Sequence, residues 1–213
     1  MEKMPYQPEL ERSAPQATSR GWRNALPVLA GKKVTLRELE VTDAPALFTM
    51  LTAEEVSRFI SPPPTTVAGF ERFITWAIAE RAAGRYACFA VVPRGMEAAV
   101  GLFQVRQLEP GFATAEWGFA MGSAFWGSGM FMDGAEMVLN FVIETVGVLR
   151  LEARAAVANG RGNGALQKLG AVQEGVLRRS FLKNGEFLDQ MLWSILGEEW
   201  RHKRAAGGHG SIH

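Results

Sequence analysis

The sequence predicts a mixed α/β fold (α+β mixed sheet), in which one sheet of parallel and antiparallel strands is flanked by helices. Three segments with alternating apolar residues, at 86–93, 98–108 and 113–121, follow one another with only short turns between them, which predicts an antiparallel meander. A segment with helical periodicity then precedes another apolar strand at 149–157. Because such a connection has to cross back over the sheet, the strand after it is predicted to lie parallel to its neighbour.

The composition is that of a globular domain. The chain has 213 residues, of which 47% are apolar and 21% charged, and this suffices for one well-cored domain with extensions. The formal net charge of +1 argues against a nucleic-acid-binding surface, which usually shows a markedly basic balance. No apolar run reaches the roughly 18–20 residues that a membrane span needs, and the charged, proline-containing N-terminus does not resemble a signal peptide. We therefore expect a cytoplasmic protein with no membrane and no nucleic acid as partner.

Few side chains could hold a metal or act as a base. Cys88 is the only cysteine, so the sequence offers no internal disulfide and no cysteine-based metal site, and we expect no metal. The three histidines, His202, His209 and His213, all lie near the C-terminus. Histidine is thereby removed from the bases that we consider.

The domain is predicted to span residues 31–197. Residues 1–30 are rich in Pro, Ser, Gln and charge and predict a flexible N-terminal extension, whose Tyr6 and Trp22 could dock on a partner subunit in a homodimer. Residues 198–213 are charged and then rich in Gly and His, which predicts a disordered tail.

The first elements of the domain are a strand and three helices. "KVTLREL", from Lys33, alternates apolar and polar residues as a strand does. "TDAPALFTML" predicts a helix that begins at Thr42 or Asp43, and a short second helix is predicted over 53–59. After the break "SPPPTT", helical spacing continues until Gly84 closes a third helix.

The last elements follow the crossover. "ANGRGNGALQKLG" indicates a glycine-rich entry into a short helix that ends at Gly170. "AVQEGVLRRSF" and "EFLDQMLWSIL", joined through Asn184-Gly185, predict a closing hairpin. Without the short helix over 53–59, the predicted element order is therefore β-α-α-β-β-β-α-β-α-β-β.

The segment from Glu116 to Val142 runs from a strand through a glycine-rich turn into a helix. Gly122, Gly127 and Gly129 allow positive φ angles and a close approach of the backbone to a ligand. A helix N-terminus after such a turn presents unpaired N–H groups and the positive end of the helix dipole, which suits a phosphate. An ordinary strand-to-helix turn is the alternative. The motifs G-x-x-x-x-G-K-[ST] and G-x-G-x-x-G are absent, so neither a Walker NTPase nor a dinucleotide dehydrogenase is indicated.

Three motifs in this order resemble the GNAT superfamily of acyl-CoA-dependent N-acetyltransferases. "SAFWGSGMFMDGA" is similar to the family's [QR]-x-x-G-x-[GA] pyrophosphate loop, with Trp126 at the first position, as in the ribosomal-protein alanine acetyltransferase (RimJ/RimL-like) branch, and Gly129 at the central glycine. "NGRGNGALQKLGA" resembles that branch's N-x-x-S-x-x-x-L-x-K-L-G-[FA], and the closing hairpin resembles its hairpin. The resemblance covers roughly residues 31–197 and implies the GNAT acyl-CoA N-acyltransferase fold, a strongly bent mixed sheet flanked by helices.

The resemblance implies a site for acetyl-CoA as cosubstrate. After Trp126, the backbone N–H groups of the loop would hold the pyrophosphate, at Gly127, Ser128, Gly129, Met130 and Phe131. The end of the preceding strand, Phe119, Ala120 and Met121, would pair with the pantetheine arm and hold the thioester where the sheet splays. Asn159 would contact the same arm, and it could equally be the N-cap of the following helix.

Three positions depart from the family's pattern. Phe131 stands where the family usually has Gly or Ala, Gly162 replaces the usual Ser, and Leu166 occupies the position of the Tyr that acts as general acid in many GNAT enzymes. These departures leave open whether a dedicated general acid exists. They also motivate an alternative function, a catalytically idle CoA-binding or interaction module on the same scaffold.

Glu116 is the residue that we assign as general base for the attack of a primary amine on the thioester. Strand alternation places it on one face with Gly118 and Ala120. A solvated strand residue is the alternative for Glu116, and Glu152 with Arg154 is expected to be a surface ion pair. The acceptor, a protein N-terminus or a small-molecule amine, is left open, because the elements that select it differ in shape rather than in motif.

Overall fold

The computed structural model of the protein describes residues 21–207, which form one eight-stranded sheet with helices on both faces. The order of the strands across the sheet is β1-β2-β3-β4-β5-β6-β8-β7. The elements are β1 (Leu29–Ala30), β2 (Val34–Glu38), α1 (Ala44–Leu51), α2 (Glu54–Ser57), α3 (Val67–Ala82), β3 (Tyr86–Pro93), β4 (Gly101–Gln107), β5 (Thr114–Met121), α4 (Met130–Asn140), β6 (Arg150–Ala156), α5 (Gly160–Leu169), β7 (Val172–Lys183), β8 (Glu186–Leu196) and α6 (Gly197–Gly207). The helix α4 continues as a π-helix over Phe141–Val146.

The sheet is mixed, as the sequence predicts. Its neighbouring strands pair antiparallel except β5 and β6, which the α4 crossover makes parallel. These two strands pair only at Thr114–Arg150, Ala115–Leu151 and Glu116–Glu152. Beyond the third pair they separate, so the rest of β5 has an unpaired edge.

Each face of the sheet packs against its own hydrophobic core. One core, under α4 and α5, is centred on the side chains of Phe89, Phe103 and Trp117, and the other, under α1 and α3, on Leu47 and Ile74. Every residue of β3 is buried, because helices cover both sides of this strand. Among the described residues, no helix is both long and apolar enough to cross a membrane.

Residues 21–30 are packed, contrary to the flexible extension predicted for 1–30. The side chain of Trp22 is only 3% exposed and packs edge-on against the ring of Phe112 at 5.6 Å. The buried guanidinium of Arg81 donates to the carbonyl of Arg23, and β1 pairs with β2. Trp22 therefore contacts its own chain and does not dock on a second subunit. Tyr6 lies outside the described residues, and the homodimer stays a prediction.

The C-terminal segment is also ordered further than predicted. Residues 197–207, most of which we assigned to a disordered tail, form α6. Trp200 on this helix is 5% exposed, and its indole N–H donates to the Asn140 side-chain oxygen at 2.8 Å. The ammonium of Lys203 donates to the carbonyl of Leu169 at the end of α5, at 2.9 Å. Trp200 is a single large apolar residue among many charged ones, so the sequence pattern did not indicate a helix here. Residues 208–213 lie outside the described residues.

We expect Trp200→Ala to lower the free energy of unfolding by about 3–5 kcal/mol, because the substitution opens a cavity and leaves the Asn140 amide without its partner. Urea denaturation monitored by circular dichroism measures this loss. Arg204→Ala, on the exposed side of the same helix, is the matched control and should stay within about 0.5 kcal/mol of the wild type. Equal stability of the two variants would show that α6 contributes nothing to the core.

Candidate active site

A cleft of about 820 Å³ opens where β5 and β6 separate. It brings together eight of the ten residues predicted for the cofactor, from the end of β5, the turn before α4 and the start of α5. These are Phe119, Ala120, Met121, Trp126, Gly127, Gly129, Phe131 and Asn159. The other two, Ser128 and Met130, belong to the same turn without lining the cleft. Phe119, Ala120 and Met121 lie beyond the last β5–β6 pair, so their backbone faces the cleft along an unpaired strand edge.

The turn between β5 and α4 has the backbone of an anion-binding loop. Gly127 and Gly129 have φ angles of 73° and 83°, which favour glycine because other residues would be strained there. The Met130 N–H donates to the Ser128 hydroxyl at 3.3 Å. Within the described residues, nothing accepts a hydrogen bond from the backbone N–H of Gly127, Ser128, Gly129 or Phe131. These donors lie at the N-terminus of α4, where the helix dipole also favours a negative charge.

Asp133, in the first turn of α4, ties this loop to the start of β2. Its carboxylate accepts hydrogen bonds from the backbone N–H groups of Lys32, Lys33 and Val34 at 3.1, 2.7 and 3.1 Å. Partial burial acts to raise the pKa of Asp133, but these hydrogen bonds outweigh it and hold that pKa below its usual value. The ammonium of Lys33 then donates to the Ser128 carbonyl. Nothing in the local sequence pattern pointed to Lys33 as part of the site.

Trp126 is fixed by its own chain and covered by a cation. Its indole N–H donates to the Met121 carbonyl at 2.9 Å, and the guanidinium of Arg161 stands over the indole ring at 4.3 Å. Arg161, Arg58 and Lys168 are the cationic side chains that line the cleft. Sequence reasoning missed all three. The only signal for Arg161 was its position inside the glycine-rich entry to α5.

The ring of Phe131 points inward. It lies 4.5 Å from the ring of Phe119 and 5.7 Å from that of Phe103. The GNAT family usually has Gly or Ala at this position. The larger side chain of Phe131 packs over the sheet, and the backbone N–H of Phe131 stays accessible to a ligand.

Two asparagines fix the start of α5 beside the end of β6. Asn159 is the N-cap, because its side-chain oxygen accepts from the Gly162 N–H at 2.9 Å, and it also lines the cleft. The amide of Asn163 donates to the carbonyls of Ala156 and Asn159 at 3.0 and 2.9 Å. Its oxygen accepts from the indole N–H of Trp193 at 2.9 Å. This network ties the start of α5 to the end of β6 and to Trp193 on β8.

A second cavity of about 410 Å³ adjoins the cleft from the side of α3 and the closing hairpin. The two cavities share Phe59, Ile60, Phe119, Ala120, Asn159 and Gly162. The walls of the second cavity are mostly apolar, and its polar groups include Glu116, Arg106, Arg154 and Gln190.

Glu116 faces this second cavity with 19% of its side chain exposed. Its Oε2 atom accepts a hydrogen bond from Arg106 Nη2 at 2.5 Å, and Arg154 Nη1 lies 4.0 Å from the same oxygen. Arg106 is the direct partner of Glu116 across β4 and β5. Its sequence neighbours Ala115 and Trp117 are buried on the opposite face of β5. Arg154 also lies 3.9 Å from Glu152, as the predicted ion pair requires.

The structure shows the surroundings of Leu166 and of three side chains with an acidic proton, Tyr86, Cys88 and Ser180. Leu166 is 1% exposed and apolar. Tyr86 donates to the Gln104 side-chain oxygen, and burial raises its pKa well above the usual value. Burial raises the pKa of the Cys88 thiol as well. The hydroxyl of Ser180 donates to the Leu177 carbonyl at 2.9 Å on the exposed hairpin. Within the described residues there is also no group of three or more His, Cys, Asp and Glu side chains that could hold a metal.

The protein is similar to known acetyltransferases over most of its length. The family model of the acetyltransferase (GNAT) domain matches residues 33–172. The uncharacterized N-acetyltransferase p20 of Bacillus licheniformis is 22% identical over 170 residues, which cover 79% of this chain and 96% of that protein.

Solved structures of acetyltransferases share the fold. Mycobacterium smegmatis RimJ in complex with CoA-disulfide has a TM-score of 0.75 at 22% identity, over 85% of this chain and 94% of that chain. The ribosomal-protein-S5-alanine acetyltransferase from Vibrio fischeri has a TM-score of 0.73 at 18% identity, over 82% of this chain and 98% of that chain.

We expect Phe131→Ala to lower the free energy of unfolding by about 3 kcal/mol, the low end of the range for this change, because the ring is only partly buried. The affinity for CoA should change less than threefold, since the loop contributes backbone groups. Urea denaturation and calorimetric titration with CoA measure the two effects. Tighter CoA binding by Phe131→Gly would instead show that the ring obstructs the wild-type loop.

Proposed function

The chain belongs to the GNAT acetyltransferase family and is an acetyl-CoA-dependent acetyltransferase, and we propose that it acetylates a primary amine with Glu116 as the general base. One observation carries this proposal. The unpaired edge of β5 leads directly into a loop of free backbone N–H groups, and a second cavity containing Glu116 opens beside it.

The cosubstrate would bind along the cleft in two parts. The free N–H groups of Gly127, Ser128, Gly129 and Phe131 would hold the pyrophosphate, with the dipole of α4 behind them. The pantetheine arm would pair with the edge of β5 at Phe119 to Met121, as an added strand does. Asn159 would contact the arm from the other side. The thioester would then lie near the residues that the two cavities share.

The chemical step is a direct attack by the amine. The amine nitrogen forms a bond to the thioester carbonyl carbon, the C–S bond breaks, and CoA leaves as the thiolate. Glu116 accepts the amine proton, directly or through one water. Its Oε2 is bound to Arg106, but its Oε1 accepts no hydrogen bond from any described residue and is the oxygen proposed to take the proton.

No side chain is committed to protonating the thiolate. The thiolate would take its proton from water or from the new ammonium group. The buried thiol of Cys88 and the exposed hydroxyl of Ser180 are both engaged elsewhere in the fold. The absence of a dedicated acid should slow the reaction rather than prevent it, and the reaction as proposed needs no metal.

The structural similarity to RimJ and to the ribosomal-protein-S5-alanine acetyltransferase supports our proposal that the chain belongs to the RimJ/RimL-like branch of the family. It does not fix the acceptor, because function depends on the site rather than on the fold. The alternative is a catalytically idle CoA-binding module. If any amine causes the protein to release CoA thiol from acetyl-CoA, this alternative is excluded.

We expect CoA and acetyl-CoA to raise the melting temperature, while NAD and ATP do not. A ligand at about 100 times its Kd stabilises the folded state by roughly 2.7 kcal/mol. Differential scanning fluorimetry with each ligand at millimolar concentration measures the shift. The absence of any shift with CoA would contradict the proposed cofactor site.

We expect Glu116→Gln to lower kcat by about 10²–10⁴-fold at neutral pH, because an amide cannot accept the amine proton. The wild-type rate should rise with pH to a plateau, and the variant should lose the acidic limb of that profile. Affinity for CoA should be nearly unchanged. Steady-state release of CoA thiol between pH 6 and pH 9.5 measures these quantities.

Arg106→Gln is the matched control for this variant. It removes the same ion pair but leaves the carboxylate, so we expect it to lose less than tenfold in kcat. An equal loss in both variants would assign the effect to the ion pair, and a fully active Glu116→Gln enzyme would mean that another group takes the proton. A bell-shaped profile for the wild type would reveal an essential acid.

A further inference from the structure

The size and the apolar walls of the second cavity suit a small ligand with an apolar part. Eleven of its wall residues are aromatic or branched aliphatic, among them Phe59, Phe70, Phe73, Leu102, Leu166 and Phe181. Its volume of about 410 Å³ lies at the lower end of the range for small-molecule sites.

Next to these walls lies the guanidinium of Arg154, which makes no hydrogen bond within residues 21–207. The nearest carboxylate oxygens to Arg154 are those of Glu152 and Glu116, at 3.9 and 4.0 Å, which is beyond hydrogen-bonding distance. Each of these carboxylates already accepts from another arginine, Glu116 from Arg106 and Glu152 from Arg150. Within the described residues, nothing accepts a hydrogen bond from Arg154, which is 36% exposed and lines the cavity.

Glu116 and Arg154 therefore lie side by side, each with a group that makes no hydrogen bond to any described residue. Glu116 Oε1 can accept from an amine, and the planar fork of Arg154 can donate two parallel hydrogen bonds to a carboxylate. The two residues lie on adjacent strands, because Glu116 pairs with Glu152 and Arg154 follows two residues later on the same face of β6.

We propose that the acceptor is a free α-amino acid with an apolar side chain, whose carboxylate binds Arg154 and whose amine is delivered beside Glu116. This inference rests on the proposed function and specifies its substrate class. An α-amino acid has an amine and a carboxylate on one carbon, which matches two groups on neighbouring strands. A peptide N-terminus has a neutral amide in place of that carboxylate and would give the Arg154 guanidinium no charged group to bind through hydrogen bonds. The apolar side chain would occupy the space between the aromatic walls.

The direct test compares L-leucine with L-leucinamide, and L-phenylalanine with L-phenylalaninamide, as acceptors for the wild-type enzyme. We expect kcat/KM to be at least tenfold higher for each acid. The amide's amine is the weaker base and loses its proton more readily, so a preference for the acid has to come from the carboxylate. Equal use of the acid and the amide, or a preference for the amide or for short peptides, overturns the inference.

Variants of Arg154 then test the residue. Arg154→Gln should lower kcat/KM for L-leucine by about 10- to 100-fold, the range expected for a hydrogen bond to a charged group, and should bring the acid-to-amide ratio towards one. Arg154→Lys should recover part of the loss, since it keeps the charge without the bidentate geometry. The exposed Arg94, outside both cavities, gives the control Arg94→Gln, which should keep the wild-type ratio. A loss of the same size for leucine and leucinamide would make Arg154 merely structural.

Failure of this inference and failure of the proposed function give different results. If CoA binds and amides, peptides or simple amines are acetylated while amino acids are not, only the substrate class is wrong. If CoA does not raise the melting temperature and no amine releases CoA thiol, the proposed function itself is wrong. The wild-type comparison requires no variant to fold, so it tests the substrate class even if Arg154→Gln is unstable.

Discussion

The separation of β5 and β6 after three paired residues is the constraint on which the rest of the site depends. Two parallel strands normally continue to pair, but here the Asn163 amide and the indole of Trp193 hold the end of β6 at α5. The freed backbone of β5 would carry unsatisfied polar groups unless a ligand or water reached it. The same opening joins the cleft to the second cavity, so one separation of strands creates both halves of the candidate active site.

The loop before α4 is held in place by contacts from a distant part of the chain. Asp133 binds three N–H groups at the start of β2, and Lys33 from that strand binds the Ser128 carbonyl. These contacts occupy the Ser128 carbonyl and leave the backbone N–H groups of Gly127, Ser128, Gly129 and Phe131 without an acceptor among the described residues, which favours an anion there. The inward ring of Phe131 supports the same arrangement by packing the first turn of α4 on the sheet.

The face of the sheet that carries Glu116 combines strong and incomplete ion pairs. Arg150 binds Glu174 through two hydrogen bonds of 2.7 and 2.6 Å and holds the pKa of that carboxyl at about 2. Arg106 makes a single short contact with Glu116, and Arg154 makes none within hydrogen-bonding distance. The Arg150–Glu174 pair is therefore closed by hydrogen bonds, whereas Glu116 Oε1 and the Arg154 guanidinium, which line the second cavity, make no hydrogen bond with any described residue.

The sequence by itself determined the fold class, the order of the elements from β2 to β8 and the glycine turn before α4, because these depend on local signals. Period-two and helical patterns define β5 and α4, and positive φ angles at Gly127 and Gly129 require residues of that type. Only the tertiary structure decided that Trp22 and Trp200 belong to the core, that Arg161 covers Trp126 and that Arg106 binds Glu116. The contact between Lys33 and Ser128 joins residues 95 positions apart in the chain, so no local pattern indicates it. The pairing of Arg106 with Glu116 depends on the register of β4 and β5. A single buried tryptophan in a charged segment leaves no periodic pattern, because its burial is a property of the surface that it meets rather than of its neighbours in sequence.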